Sequence, residues 1–229
     1  MQAFLEEVAE HILKHYPDDT GNICLVTPNR RAGLFFRKHF AARVRKTMWA
    51  PEVVSIEDFI NRLSGLNICD PLNLLLSFYE VYKKEEKEKA RPLDDFIQWA
   101  PTLLKDFDDI DASMPQTQAL FDLLQEAQRI KHWNPDGSPP TPFQQDYLAF
   151  FRQFNTYYKA LRSTLLATNK AYQGLSSRVA AENSEADAPE LPWKKVIFTG
   201  FNALTQAEER IIDKLITLGK AEYIADADP

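Results

Sequence analysis

The sequence predicts an α/β fold in which a parallel sheet is interrupted by a large all-helical insertion. Three observations lead there. Two short apolar runs, at 23–27 and 195–199, are each followed closely by an amphipathic helical pattern, as strands buried on both faces of a parallel sheet are. Between residue 70 and about 181 the periodicity is helical only. After the polar stretch E-N-S-E-A-D-A-P-E-L-P, residues 182–192, the strand–helix–strand pattern returns.

The elements follow in order. A first helix over about 3–15 puts Phe4, Leu5, Val8, Ile12 and Leu13 on one side, and P-D-D-T-G at 17–21 makes the turn that ends it. The strand at 23–27 feeds a helix over about 30–45, and a second strand is expected at 52–55. Ser55 can cap the next helix, with Asp58 three positions on and Phe59, Ile60 and Leu63 inward.

In the insertion, Pro71, Pro92 and Pro115 are placed at first helical positions. Leu72, Leu75, Leu76, Tyr79 and Tyr82 mark one helix; Phe96, Trp99, Leu103 and Phe107 mark the next. Leu120, Leu123, Leu124, Ala127 and Ile130 mark a third, and a turn-rich loop covers 133–142. A long aromatic-studded helix over 143–166 and a shorter one ending near 181 close the insertion, and 182–192 reads as a linker. The final part is a strand at 195–199, a helix opened by the capping box T-Q-A-E at 205–208, and a strand at 221–225. Two α/β pieces, 1–67 and 192–229, therefore flank a helical insertion at 68–183. Four short parallel strands seldom make a well-covered sheet, so the expectation is an N-terminal piece of a longer polypeptide.

The net charge of −6 does not advertise nucleic-acid binding for the chain as a whole. Its distribution is uneven. Residues 30–46 hold seven Lys/Arg and no acid, whereas 94–111 hold six Asp and only Lys105. No apolar run is long enough to span a membrane, and the early glutamates argue against a signal peptide. Isolated Cys24 and Cys69 suit buried thiols in a reduced, cytoplasmic protein.

The junction T-P-N-R-R-A-G, 27–33, has the position of a phosphate-binding loop between strand and helix. A working loop needs glycine backbone aimed at phosphates, a lysine for the outer phosphates and a Ser/Thr on Mg²⁺. Here Pro28, Asn29, Arg30 and Arg31 lead to a single glycine, Gly33, and Leu34-Phe35 stands where Lys-Ser/Thr would be. Downstream, the strand that should end in a metal-holding acid ends in Thr199-Gly200, and neither supplies a carboxylate. Both halves of the ATP-hydrolysing apparatus are eroded, so no catalytic residue and no cofactor is assigned.

On the helical wheel Ala32, Phe36, Phe40 and Val44 form the apolar stripe, with Arg31, Lys38 and Arg45 opposite and Arg30 and Arg37 beside them. Lys38 and Arg45 fit a solvated outer face. Arg30 and Arg31 follow the strand's carboxyl end, where open α/β sheets place ligands, so they fit either nucleic-acid backbone contact or a structural ion pair. Arg37 is a third candidate for the DNA contact. The run K-D-F-D-D-I-D, 105–111, lacks EF-hand spacing and reads as a solvated acidic helix end with Phe107 and Ile110 inward. Phe143, Tyr147, Phe150, Phe151, Phe154, Tyr157 and Tyr158 at helical spacing read as bundle core before base-stacking groups. His11, His15, His39 and His132 show no zinc pattern, and no metal site is assigned.

Several segments, in order, resemble the amino-terminal region of AddB-type proteins: L-V-T-P-N-R-R-A-G-L-F-F, V-V-S-I-E-D-F-I-N-R-L, W-A-P-T-L-L-K-D-F-D-D-I-D, A-Y-Q-G-L-S-S-R-V and V-I-F-T-G-F-N-A-L-T-Q-A-E-E. Thr199 stands where the family's D-G-F-x-x-F-T-P-x-E stretch often has Asp. The resemblance implies a RecA-like helicase domain 1A with a helical 1B insertion, its ATPase inactivated. It implies a DNA-binding part in a helicase–nuclease that processes double-strand breaks for recombinational repair. The PD-(D/E)xK exonuclease residues would lie outside these residues, and an AddA-type subunit is the implied partner. Two other readings stay open: an NTPase with an atypical phosphate loop, and a protein-interaction scaffold for a partner helicase.

Overall fold

A computed structural model describes residues 4–117, 119, 120, 142–186 and 189–226, with side chains from 153 onward in the long helix. The chain opens with α1 (Phe4–His15), β1 (Ile23–Thr27), α2 (Arg30–Arg43), β2 (Glu52–Ser55) and α3 (Ile56–Ser64). It continues through β3 (Asn67–Ile68), α4 (Pro71–Glu86), α5 (Leu93–Phe96), α6 (Ala100–Ser113), α7 (Pro142–Ala167), β4 (Lys170–Ala171) and α8 (Gln173–Ala186). It ends with β5 (Lys195–Thr199), α9 (Gln206–Thr217) and β6 (Ala221–Ile224). Two compact units result: Met1–Gly65 with Ser177–Pro229, and Leu66–Ser176.

The first unit is α/β. Its sheet is parallel throughout, in the order β2-β1-β5-β6, with Leu25 level with Val53 on one side and Ile197 on the other. Every residue of β1 is buried, as the unbroken apolar run predicts. Ile23, Leu25, Val53 and Ile197 face a layer built by Val8, Ala9 and Ile12 of α1 and Phe36 and Phe40 of α2. On the other face Phe59 of α3 meets Phe198 edge to face at 5.4 Å. The crossovers run outward from the centre in opposite directions. Right-handed connections therefore put α2 and α9 on opposite faces, and the topology reverses between β1 and β5.

The second unit is mainly helical. Asp70 caps α4 by accepting from Leu72 N and Asn73 N, and Pro71 occupies the first turn. Pro92, expected at the first helical position, is instead the N-cap residue before α5. Phe78 is the centre of an aromatic cluster, with ring centroids of Phe96 at 5.2 Å, Phe107 at 5.9 Å and Tyr157 at 6.0 Å. Phe154, Tyr157 and Tyr158 are buried there, so these rings are core. The two-residue strands β3 and β4 pair in parallel, β3 just before the region that reads as helix alone and β4 inside it. They are too short to leave a periodicity.

Two expectations are corrected. The acidic run is not a solvated helix end, because Asp111 is fully buried and accepts hydrogen bonds from Tyr158 Oη and Tyr172 Oη at 2.5 Å each. Asp108 accepts from Gly174 N at 2.6 Å. A Cβ on Gly174 would lie 2.1 Å from Asp108 O, so only glycine allows α8 to begin this close to α6. Burial and the Asp111 charge push the Tyr172 phenol far above its usual range. The expected linker also begins late. α8 runs to Ala186, since Ala180 and Ala181 bury a small-residue face and Ser184 satisfies its hydroxyl on Ala180 O at 2.7 Å. The readings placed on Leu123, Leu124, Ala127, Ile130, His132, the loop up to residue 141 and the side chains of Phe143, Tyr147, Phe150 and Phe151 fall outside the described residues, while Pro142, expected to end that loop, already opens α7.

Candidate nucleic-acid interface at the carboxyl end of the sheet

The topological reversal beside β1 puts the T-P-N-R-R-A-G junction where doubly wound sheets bind ligands. Thr27 is buried at the end of β1 and its Oγ1 donates to Asn29 O at 3.0 Å. Pro28 has no N–H to offer. Asn29 is the N-cap of α2, and its Oδ1 accepts from Ala32 N at 2.9 Å. An oxygen of the chain itself thus takes an N–H that a phosphate loop would turn to its ligand. Gly33 serves packing: a Cβ there would lie 2.9 Å from Val53 Cγ1 and 3.4 Å from Thr27 Oγ1.

The three candidate arginines separate. Arg30 is bidentate on Asp58, Nε to Oδ2 at 3.0 Å and Nη2 to Oδ1 at 2.8 Å. Hydrogen bonds from Arg30 and from Ser55 Oγ hold the Asp58 carboxyl down at about 2. Arg37 Nη2 donates to Val53 O at 3.1 Å, covering a carbonyl on the outer edge of β2. Arg31 is exposed, and its guanidinium lies 5.9 Å from the Phe35 ring centroid. It has no acidic partner among the described residues.

At the end of β5, Thr199 is buried and its Oγ1 donates to Ile224 O at 3.3 Å. Gly200 adopts φ 75°, a turn that glycine takes without strain, and stands close to Pro28 and Phe4. Its neighbourhood is apolar, and Thr199 is spent on the sheet.

A groove of about 470 Å³ runs beside β2, lined by Arg30, Arg37, Glu52, Ser55, Asp58 and Arg62 among others. Sequence reasoning missed Glu52 and Arg62. Arg62 Nη1 donates to Glu52 Oε1 at 2.6 Å, and Trp193 Nε1 donates to Glu52 Oε2 at 2.9 Å. The Arg62 guanidinium also lies 5.7 Å from the Trp193 ring centroid. Glu52 and Trp193 are far apart in the chain, so no local signal announces the trio. Every guanidinium of this groove already has a protein acceptor, which weakens its pull on an incoming anion. Arg30 is largely exposed, and water and salt screen its pair with Asp58, so a phosphate can compete for Arg30 at little cost.

Among the described residues no group of three or more His, Cys, Asp or Glu could hold a metal ion, and no helix is long and apolar enough to cross a membrane. No model of a protein family and no curated protein matches the chain.

Proposed function

We propose that this chain is an ATP-independent nucleic-acid-handling module of RecA-like descent, working within a helicase–nuclease that prepares broken DNA ends for recombinational repair. The observation that carries the reading is the β1–α2 junction. Its cap oxygen on Asn29 takes the Ala32 N–H, and Thr199 replaces the acid of the neighbouring strand end. Yet Arg31 still stands exposed at the ligand end of the sheet, with no acidic partner among the described residues. The groups that grip triphosphate and Mg²⁺ have gone and a cation suited to a phosphodiester remains. The module guides a strand by charge and shape, without turnover. The helicase family, the attached nuclease and an AddA-type partner come from the resemblance of the quoted segments.

The test is binding of a fluorescein-labelled oligo(dT) followed by anisotropy over a salt series. Each single-strand phosphate contact contributes a slope of about −0.7 in log K against log salt. Arg31→Ala should flatten the slope by about that amount, and Arg30→Ala by less, because Asp58 already occupies Arg30. Mg-ATP should leave the melting temperature unchanged. Absence of oligo(dT) binding at low salt refutes the reading. A thermal shift that grows with Mg-ATP concentration favours an NTPase instead.

A further inference from the structure

The acid-free stretch around the site, residues 20–51, continues past the crevice, and the structure sorts the cations of its 30–51 part into two groups. Arg30 is held by Asp58, Arg37 by a backbone carbonyl, Arg43 by Glu6 and Glu10, and Lys46 by Asp18. Arg31, Lys38 and Arg45 are exposed and have no acidic partner among the described residues. Arg31 and Lys38 are seven residues apart on α2, two turns and about 10 Å along one helix face. Arg45 follows just beyond the helix end.

Two exposed rings accompany these cations. Phe35, one turn from both Arg31 and Lys38, is 46% exposed, and Trp49 is 85% exposed. Trp49 is held by its backbone: Thr20 Oγ1 donates to Trp49 O at 2.6 Å. Gly21 packs so closely that a Cβ there would lie 2.7 Å from Trp49 Cβ. The main chain is pinned while the indole is presented to solvent. Because α2 leads from the carboxyl end of β1 to the amino end of β2, the series Arg31, Phe35, Lys38, Arg45, Trp49 passes from one end of the sheet to the other.

We infer that this outer side of α2 and the turn after it form a track for single-stranded nucleic acid, with phosphates on Arg31, Lys38 and Arg45 and bases stacked on Phe35 and Trp49. The inference rests on the nucleic-acid reading above and extends it from one cation at the crevice to a path. Unpaired cations interleaved with exposed rings are what an unstacked strand needs, since every base has a π-face. In a duplex the bases are stacked on each other, and the rings would find no partner. An acidic amphipathic helix would need a continuous apolar seam, but Lys38 interrupts the exposed face between Phe35 and Ala42.

The experiment measures oligo(dT) affinity and salt slope for the full chain and for Phe35→Ala, Trp49→Ala, Trp49→Phe and the double variant Lys38→Ala/Arg45→Ala. All four sites are exposed, and circular dichroism checks that each variant is folded. The two ring-to-alanine variants should each weaken binding at least about fivefold, and Trp49→Phe should regain most of its share. The double variant should flatten the salt slope by about 1.4. Unchanged affinity in all of these, with loss in Arg31→Ala alone, overturns the track and leaves the crevice contact standing. No oligo(dT) binding by the unmodified chain removes both readings. Oligoglutamate competing as well as oligo(dT) also overturns the track, because the surface would then suit an acidic protein.

Discussion

Replacing Asp111 tests whether the acidic run is a structural element of the helical unit. Its two carboxylate oxygens each accept a phenolic hydrogen, from Tyr158 and Tyr172, whose side chains are almost wholly buried. A hydrogen bond to a charged group contributes about 1.5–3 kcal/mol, so Asp111→Ala, which removes both acceptors, should cost about 3–6 kcal/mol. Asp111→Asn keeps one acceptor oxygen and should cost roughly half as much. Asp109, exposed on the same helix, supplies the control: its alanine variant should stay within about 0.5 kcal/mol of the unmodified chain. The assay is urea unfolding followed by far-UV and near-UV circular dichroism. A two-transition fit applies where the curves separate, because the chain has two compact units. The near-UV transition should carry the loss, as Phe107 and Tyr158 of the aromatic cluster lie beside the carboxylate. If Asp111→Ala is as stable as Asp109→Ala, the buried network contributes nothing and the argument fails.

Two further outcomes are expected. Gly33→Ala brings a Cβ against Val53 Cγ1, an overpacking cost of about 1–3 kcal/mol. This is offset by up to about 1 kcal/mol of improved helix propensity. A net loss is expected in thermal unfolding, and a variant more stable than the parent would show that Val53 can turn away freely. Asp58 gives a pH dependence. Its carboxyl is lowered in the folded chain, so its stabilisation is present above the ordinary carboxylate value and lost as pH falls from about 4 to about 2. A third of the side chain is exposed, so solvent screening limits the effect to at most about 1 kcal/mol. Acid unfolding of Arg30→Ala should lack that part of the pH dependence, and an unchanged acid limb would show that the pair is energetically idle.

Of the four parallel strands, β1 and β5 are legible as short apolar runs, and β2 and β6 by the turn chemistry and helix patterns beside them. Capping is equally local: Ser55, Asp70 and Thr205 all accept the backbone hydrogen bonds that their residue types offer. Solvation is not local in this way. The acidic run looks solvated because four aspartates sit close together, yet burial of Asp111 depends on tyrosines 47 and 61 residues away. Likewise the termination of α8 depends on what covers Ala180 and Ala181, not on the polar letters that follow.

At the candidate site the same division holds. That the T-P-N-R-R-A-G junction lacks a lysine and that β5 ends without a carboxylate is written in the residues themselves, since a group missing from the chain cannot be restored by folding. Which cations remain available is a different matter. Arg30, Arg31 and Arg37 are near neighbours of one type, and only the strand order brings Asp58 to the first and the Val53 carbonyl to the third while leaving the second in solvent. Local chemistry follows from residue type and spacing, which the chain carries at every point; the pairing of charges follows from which distant groups folding places within about 3 Å, and that distance exists only in three dimensions.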